Sequence, residues 1–301
     1  MNPRNSLGAV FLIFFSLISC DLNLWETSDS SKNDPPEIYQ LDDTKEIISS
    51  GLNRTFHIHL PSRTPGLPVV FALHGGGESG IIFKGYSGFD DAADSLRFII
   101  VYPEAYKPYA WGESPVFLDE NTAVDDLRFI RDILLKLETD LKTDPTRVYA
   151  TGFSAGGFLS YALAARLPDR FAACAPLAAS MLPEIAGALV ANARIPTLVI
   201  HGTDDSAVYW EGSNEEAFPY LSQDDVLDLL LRVHDCGEVP EITVLPQPFE
   251  ELRVRHERYR NQAGVAPVQR IIIEGGDHYY PHMLFDVPSR ILAFFREFAI
   301  G

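Results

Sequence analysis

Short apolar runs and amphipathic stretches alternate along most of the chain. Apolar runs without polar alternation, typical of strands that are covered on both faces, occupy residues 67–73, 97–102, 147–151, 197–201 and 270–273. Between them, apolar residues recur at helical spacing over residues 123–141 and 155–167. This order predicts an α/β fold with a mostly parallel central sheet and helices on both faces.

Further patterns add elements at both ends of this sheet. Residues 46–60 contain two short β-like pieces around Gly51, which predict an antiparallel hairpin. The last part of the chain predicts a helix over 224–234, strands over 241–245 and 253–258, and a helix over 288–298. There is no internal repeat and no second domain boundary, and 301 residues with 46% apolar content can bury one core. We therefore predict a single domain over residues 38–301.

The N-terminal segment has the pattern of an export signal. Arg4 precedes an apolar run from Leu7 to Ile18, which is short for a membrane span but suits a signal-peptide core. The run ends at Cys20 in a sequence that resembles a bacterial lipobox. We expect residues 1–20 to be a lipoprotein-type signal peptide with Cys20 as the lipidation site, and the alternative is an ordinary secretory signal. Residues 21–37 are polar and turn-rich, which predicts a flexible tether.

Charge and cysteine content narrow the classes of partner. A formal charge of −18 and a pI near 4.7 oppose binding to nucleic acids or anionic lipid headgroups. We therefore expect no nucleic-acid partner, and membrane contact only through a lipid anchor. Cys20, Cys174 and Cys236 form neither a CxxC motif nor a zinc-like cluster, so we expect no metal. A disulfide between Cys174 and Cys236 is an open alternative.

A strand-to-helix turn is predicted around Ser154. The segment Gly152-Phe153-Ser154-Ala155-Gly156 lies between the predicted strand at 147–151 and the predicted helix at 155–167. This is the setting of a nucleophile elbow. A serine hydroxyl is a weak nucleophile, which an adjacent imidazole and a third, orienting group can activate. Ser154 is therefore the candidate nucleophile.

A glycine cluster follows the first core strand. His74-Gly75-Gly76-Gly77 comes directly after the apolar run at 67–73 and is not a Walker loop, because no Gly-Lys-Ser/Thr follows. Acyl transfer places negative charge on a former carbonyl oxygen, which two fixed N–H donors can stabilise. We expect Gly76 or Gly77 to supply one donor and Ala155 the other.

The acid and the base are sought downstream of the serine, the order typical of this kind of elbow. Asp204 and Asp205 both follow the predicted strand at 197–201 and are both candidate acids. His278 follows the last apolar run, where a loop can bring its imidazole back to Ser154. His282, four residues later, is the alternative base.

These motifs resemble a secreted esterase family that includes polyhydroxybutyrate depolymerases, LpqC-like lipoproteins and feruloyl or acetylxylan esterases. The resemblance covers most of the chain after the signal peptide. It is carried by Leu73–Gly77, Val124–Ile130, Asp144–Gly157, Leu167–Ala173, His201–Asp205 and Glu274–His278. It implies an α/β-hydrolase fold with a catalytic triad of Ser154, Asp205 and His278, because the family's acid stands two residues after the threonine and its histidine ends a Gly-Gly-x-His segment.

The chain departs from that family where substrates are selected. It has Ser206 where a proline is common after the acid, and Tyr279-Tyr280-Pro281 where Thr-Trp-Pro commonly follows the histidine. We expect an aromatic substrate-binding platform, with ordinary packing of the same rings as the alternative. Its candidate members are Trp111, Tyr209, Trp210 and Tyr279.

Together these observations predict a serine esterase that needs no cofactor. Expected substrates are carboxylic esters, including polymeric ones of the polyhydroxyalkanoate or feruloyl and acetyl polysaccharide types. One alternative is a serine peptidase of the prolyl-oligopeptidase type, but about thirty residues between tether and first core strand leave no room for its usual propeller. Another is a noncatalytic, polymer-binding surface lipoprotein, against which the complete set of candidate residues argues.

Overall fold

A computed structural model of the chain describes residues 39–106, 111, 124–192, 194–246, 252–279 and 286–301. All of them lie in one structural unit, Pro36–Gly301. The predicted signal peptide, the tether, Cys20 and His282 lie outside the described residues. Among the helices that the structure describes, none is long and apolar enough to cross a membrane.

The apolar runs form the middle of a ten-stranded sheet with the order β1-β2-β4-β3-β5-β6-β7-β10-β9-β8. The six strands from β4 to β10 in this order are parallel, and an antiparallel pair flanks them on each side. The strands are β1 (Asp42–Ser49), β2 (Leu52–His59), β3 (Val69–Leu73), β4 (Ile99–Pro103), β5 (Val148–Phe153), β6 (Ala173–Leu177), β7 (Thr197–Gly202), β8 (Glu241–Leu245), β9 (Arg253–Tyr259) and β10 (Val268–Glu274).

Helices cover both faces of this sheet, and the sheet separates two apolar cores. The helices described are α1 (Gly80–Ser87), α2 (Phe89–Leu96), α3 (Asp126–Asp140), α4 (Ala155–Arg166), α5 (Pro183–Asn192), α6 (Gln223–His234) and α7 (Val287–Phe295). One core joins the sheet to α3, α4, α5 and α6, and the other joins it to α1, α2 and α7. The predicted α/β fold with a mostly parallel sheet is therefore confirmed.

Most predicted elements are present, and those that sequence patterns missed have weak signals. The opening hairpin turns at Ser50 and Gly51, both with positive φ. Strand β6 was not predicted, because its sequence Ala-Cys-Ala-Pro-Leu contains no β-branched residue. Helices α1 and α2 have only eight residues each, too few for a clear periodic pattern.

Both described cysteines carry free thiols, so the disulfide that the sequence left open is absent. Cys174 lies on β6 and is fully buried, and burial raises the pKa of its thiol to about 12. Cys236 follows α6 and is half-buried. Cys174 therefore packs as a small apolar side chain.

A close backbone contact between β3 and α4 fixes the centre of the sheet. A Cβ atom on Gly156 would lie 2.2 Å from the carbonyl oxygen of Leu73. A Cβ atom on Gly152 would lie 2.5 Å from the carbonyl oxygen of Gly156. Both neighbours are backbone atoms, which cannot rotate away as a side chain can. The helix can approach the strand this closely only because both positions are glycine.

We predict that Gly156→Ala destabilises the fold by about 3 kcal/mol, because the added methyl group forces β3 and α4 apart. Gly187→Ala is a matched control inside helix α5, where an added Cβ meets nothing within 4 Å. The control is expected to gain about 0.5–1 kcal/mol, because alanine favours helix more than glycine does. Urea unfolding followed by circular dichroism measures both changes. An unchanged midpoint for Gly156→Ala would contradict the contact.

Candidate active site

Ser154 occupies the turn between β5 and α4. Its backbone has φ 52° and ψ −117°, a conformation that residues with side chains rarely adopt. The Ser154 N–H donates to the carbonyl oxygen of Leu177 at 2.9 Å, and its own carbonyl oxygen accepts from Phe158 N–H at 3.1 Å. Strand β6 and helix α4 thus hold the strained residue in place from both sides.

A histidine and a carboxylate line up behind the Ser154 hydroxyl. His278, in the loop after β10, lies with Nε2 3.1 Å from Ser154 Oγ. Its Nδ1 lies 2.9 Å and 2.8 Å from the two carboxylate oxygens of Asp205. His278 is 6% exposed and Asp205 is 3% exposed, so little water competes for these contacts. Ser154, His278 and Asp205 come from distant parts of the chain and form one hydrogen-bonded row, here called the Ser154 row.

Asp205, and not Asp204, contacts the histidine. Its Oδ1 accepts the backbone N–H groups of Ala207 at 2.9 Å and Val208 at 2.7 Å, which fix the carboxylate in the loop after β7. The exposed side chain of Asp204 instead accepts the hydroxyl of Thr203 at 3.0 Å. The two candidates that sequence left open are thus distinguished by their positions.

A second histidine lies directly behind Asp205. His201, at the end of β7, is 1% exposed, and its Nε2–H donates to the carbonyl oxygen of Val208 at 2.8 Å. The same nitrogen lies 3.4 Å from Asp205 Oδ2. Burial lowers the pKa of His201 even though Asp205 favours its charged form. His201 is therefore a neutral neighbour of the Asp205 carboxylate at pH 7.

The acid loop and the histidine loop are bonded to each other. Asp277 Oδ1 accepts the backbone N–H of Ser206 at 3.1 Å and the Ser206 hydroxyl at 2.8 Å. The same oxygen accepts the backbone N–H of His278 at 2.7 Å. The His278 N–H and the two Ser206 donors together hold the pKa of Asp277 below its usual value. One carboxylate therefore fixes the loops of both Asp205 and His278.

The segment His74–Gly77 after β3, here called the glycine loop, lies beside the first turn of α4. A Cβ on Gly156 would be 2.7 Å from the carbonyl oxygen of His74 as well as close to Leu73. The first N–H groups of a helix have no acceptor within the helix, and Ala155 is the first residue of α4. Gly76 and Gly77 are exposed in the facing loop. The expected N–H donors thus lie in two adjoining segments next to Ser154.

His74 supports this loop from below. It is fully buried, its Nδ1–H donates to the carbonyl oxygen of Gly75 at 2.8 Å, and its Nε2 accepts the Ala105 N–H at 3.3 Å. Burial lowers the pKa of His74, which fits a neutral ring that both donates and accepts. The Trp111 ring packs at a tilt with its centroid 4.6 Å from this ring, and its indole N–H donates to the His74 carbonyl oxygen at 2.9 Å.

The four aromatic residues that sequence singled out do not form one platform. Trp111 is 1% exposed under the glycine loop, so its position does not match an open substrate surface. Tyr209 is 51% exposed, and Trp210 lies 6.1 Å from His201 and near Arg270. Tyr279 is 64% exposed, and its ring lies 5.5 Å from His278. Of the four, Tyr279 is the exposed ring beside the Ser154 row.

Sequence reasoning missed Glu104, which directly follows β4 and binds the first N–H groups of helix α1. Its carboxylate accepts the N–H groups of Gly80 at 2.9 Å and Ile81 at 3.0 Å, and lies 2.8 Å from His57 Nε2. Burial opposes ionisation of Glu104, but these bonds hold its pKa below the usual value. Its place at the carboxyl end of a central strand was the available signal, because ligand sites of such sheets lie there.

One group of potential metal ligands occurs among the described residues, at the edge of the sheet. Asp42, His59 and Asp90 have ligand atoms within 4.8 Å of one another. The ammonium group of Lys84 bonds to both carboxylates and so occupies the position that a cation would take.

The chain is similar to known proteins over most of its length. The model of the family described as "Putative esterase" matches residues 49–239. "Putative esterase NocK" of Nocardia uniformis subsp. tsuyamanensis is 32% identical over 254 residues, covering 79% of this chain and 73% of that protein. Poly(3-hydroxyalkanoate) depolymerase C of Paucimonas lemoignei is 24% identical, covering 81% of this chain but only 63% of that protein.

The fold also matches solved structures. The acetyl xylan esterase from Aspergillus awamori superposes with a TM-score of 0.59 at 16% identity, covering 84% of this chain and 99% of that chain. At this identity the likeness concerns the fold, and it agrees with the sheet and helix arrangement described above.

We predict that the folded chain loses stability as the pH falls from 7.5 to 5.5. Burial lowers the pKa values of His74, His201, His234 and His256, so these groups take up protons at lower pH in the folded chain than in the unfolded chain, which does so near pH 6.5. Stability is therefore complete above the unfolded pKa and is lost below it. Each such group accounts for at most about 1.4 kcal/mol over this window. Urea unfolding at the two pH values measures the loss.

His59 provides a control of opposite sign. Burial opposes its protonation, but hydrogen bonds with Asp42 and Asp94 raise its pKa. Its contribution is present at low pH and is lost as the pH rises through the raised pKa. The variant His59→Gln is therefore expected to lose more stability between pH 7.5 and 5.5 than the wild type. A wild type that is more stable at pH 5.5 would refute the prediction.

Proposed function

Because the chain belongs to the esterase family, a group of α/β-hydrolases that cleave carboxylic esters, we propose that it is a serine esterase in which Ser154, His278 and Asp205 perform acyl transfer. The observation that supports this assignment is the continuous row from Ser154 Oγ through the His278 ring to the Asp205 carboxylate.

The first half of the reaction forms an acyl-enzyme. Asp205 accepts the Nδ1–H of His278, which leaves Nε2 unprotonated and facing the Ser154 hydroxyl. As Ser154 Oγ attacks the ester carbonyl carbon, His278 Nε2 takes the hydroxyl proton. His278 then gives this proton to the leaving alcohol, and the acyl group stays on Ser154. A water molecule repeats the sequence in the second half and releases the acid.

The developing oxyanion needs donors that are fixed before the reaction. The N–H of Ala155, at the start of α4, and the N–H of Gly76 or Gly77 fit this role. The strained backbone of Ser154 and the contact of Gly156 with β3 bring these two segments together. His74 and Trp111 hold the glycine loop from behind, so the donors need little rearrangement when charge develops.

The proposed substrates are esters of the polyhydroxyalkanoate type or feruloyl and acetyl esters of polysaccharides. The names of similar proteins include a poly(3-hydroxyalkanoate) depolymerase, feruloyl esterases and an acetyl xylan esterase. Tyr279, exposed beside His278, provides an apolar surface that suits a bulky acyl or alcohol group.

The N-terminal segment supports a second part of the proposal, that the chain is exported and held by lipid. The apolar run before Cys20 and the polar stretch over residues 21–37 suit a lipoprotein signal followed by a tether. The folded domain would then be residues 38–301, joined to a membrane only through an acyl-modified Cys20.

We predict that Ser154→Ala lowers kcat on 4-nitrophenyl butyrate by about a millionfold and abolishes labelling by a fluorophosphonate, because the nucleophile is removed. Asp205→Asn is expected to lower kcat by about 10⁴-fold, since the amide no longer holds the correct tautomer of His278. Initial rates measured on folded variants test both changes.

Asp204→Asn is the matched control, because it makes the same substitution one residue away on an exposed side chain. It is expected to stay within about twofold of the wild type. Full activity in Ser154→Ala would overturn the proposed nucleophile. Equal losses in Asp204→Asn and Asp205→Asn would overturn the assignment of the acid.

We also predict that Cys20→Ser prevents incorporation of labelled palmitate during expression in a bacterial host. In detergent phase partitioning, the variant is expected in the aqueous phase and the wild type in the detergent phase. Cys236→Ser serves as the control, because it removes a thiol of the folded domain and leaves the N-terminal segment unchanged. Lipid labelling that persists in Cys20→Ser would exclude Cys20 as the anchor.

A further inference from the structure

A carboxylate and a phenol are bonded to each other next to the glycine loop. Glu78 follows Gly77 directly, and its two carboxylate oxygens accept the hydroxyl of Tyr86 at 2.9 Å and 2.7 Å. Tyr86 lies in the last turn of α1, and its ring packs edge-on against Phe83 at 5.5 Å. Glu78 is half-buried and Tyr86 is 43% exposed. The carboxylate is therefore fixed in position while one side of the pair faces solvent.

Gly75 and Phe153 lie between this pair and His278 of the Ser154 row. A Cβ on Gly75 would be 2.9 Å from the Phe153 ring and 3.6 Å from a carboxylate oxygen of Glu78. Gly75 therefore separates the ring from the carboxylate by little more than one carbon atom. The Phe153 ring in turn lies 4.8 Å from the His278 ring. Glu78 thus lies on the same side of the site as the proposed base, His278.

Tyr279 lies on the same side of the site, and we call the surface formed by Glu78, Tyr86 and Tyr279 the wall. Its exposed ring lies 5.8 Å from Phe153. Burial raises the pKa of the Tyr86 hydroxyl, and the neighbouring Glu78 and Tyr279 raise it further. Tyr86 consequently stays protonated and adds no second negative charge. The wall formed by Glu78, Tyr86 and Tyr279 presents two aromatic rings and one carboxylate.

A carboxylate at the edge of a reaction site acts on charged substrates through space. A like charge brought within several ångströms of it is repelled, and the repulsion grows as water is excluded from the site. A neutral ester meets only the rings and the hydrogen-bonding atoms. No neutralising cation bonds to Glu78 among the contacts described, which are those with Tyr86.

We propose that Glu78 is a specificity-determining residue that selects uncharged esters and rejects esters with a free carboxylate near the scissile bond. Tyr86 holds the Glu78 carboxylate in place, and the charge of this carboxylate acts on whichever group of the substrate lies against the exposed ring of Tyr279, beside His278. This inference rests on the proposed function, because it requires that Ser154 be the reacting centre. It implies that polymer interiors and esterified sugars are better substrates than short hydroxyacid oligomers with acidic ends.

The test uses ester pairs of equal shape and different charge. For the alcohol side the pair is 3-acetoxybenzamide and 3-acetoxybenzoate, and for the acyl side it is 4-nitrophenyl succinamate and 4-nitrophenyl hemisuccinate. The wild type is expected to prefer the neutral member of at least one pair by about five- to tenfold in kcat/KM at low ionic strength. Glu78→Gln is expected to reduce that preference to about twofold or less by raising kcat/KM for the anionic ester. Glu78→Asp, which keeps the charge, is expected to retain most of it.

Glu238→Gln provides the control for net charge, because it makes the same substitution on an exposed residue after α6. It is expected to leave the preference unchanged, which separates a local effect of Glu78 from the overall charge of −18. Thermal unfolding of each variant checks the fold. If Glu78→Gln does not fold, the salt dependence of the wild type tests the inference instead. The preference of the wild type for the neutral ester should shrink as NaCl rises from 20 to 500 mM, because salt screens the repulsion.

The outcomes separate this inference from the proposed function. A wild type that hydrolyses both pairs without a charge preference, or a preference that Glu78→Gln leaves intact, overturns the role of Glu78 and leaves Ser154 as the proposed nucleophile. Equal loss of preference in Glu238→Gln also overturns it. Hydrolysis that survives in Ser154→Ala overturns the proposed function itself.

Discussion

The contact between the end of β3 and the first turn of α4 is the constraint on which the rest of the site depends. Gly156 approaches the Leu73 carbonyl oxygen so closely that no side chain fits between them. This closeness brings the glycine loop beside the first turn of α4, which begins at Ala155. It also confines Ser154 to a backbone conformation that costs on the order of 1–3 kcal/mol. Hydrogen bonds from the neighbouring strand and helix hold that strained geometry in place.

Burial then decides which groups around Ser154 carry charge. A protonated His201, 3.4 Å from Asp205, would compete with His278 for the same carboxylate. Burial lowers the pKa of His201, so it supports the Val208 carbonyl as a neutral donor and leaves Asp205 to His278. Burial has the same effect on His74, which bonds to the glycine loop without adding charge near the proposed oxyanion site. Both histidines therefore serve geometry without disturbing the electrostatics of the row.

The sequence predicted the features that depend on local pattern and missed those that depend on tertiary contact. The central strands and the elbow at Ser154 follow from apolar runs and from glycine spacing, which are local signals. Strand β6 lacks such a signal, because its buried residues are mostly small and none is β-branched. Glu104 had only its position after a central strand as a signal, and Glu78 had none, since a lone glutamate gains its role from the backbone N–H groups or the phenol that folding brings to it. For Trp111 the sequence left a substrate surface and ordinary packing as alternatives, because its burial beside His74 is a tertiary property.

The structure explains one departure from the family pattern, Ser206 in place of the proline that commonly follows the acid. A proline after the acid would fix φ in that loop but would have no N–H to donate. This chain has Ser206 there, and both its N–H and its hydroxyl bond to Asp277. Asp277 also accepts the N–H of His278, so the same carboxylate orders the loop of the base. Hydrogen bonds across the two loops thus supply the order that a proline would supply within one. The substitution at residue 206 and the carboxylate at residue 277 are therefore best understood as one structural unit.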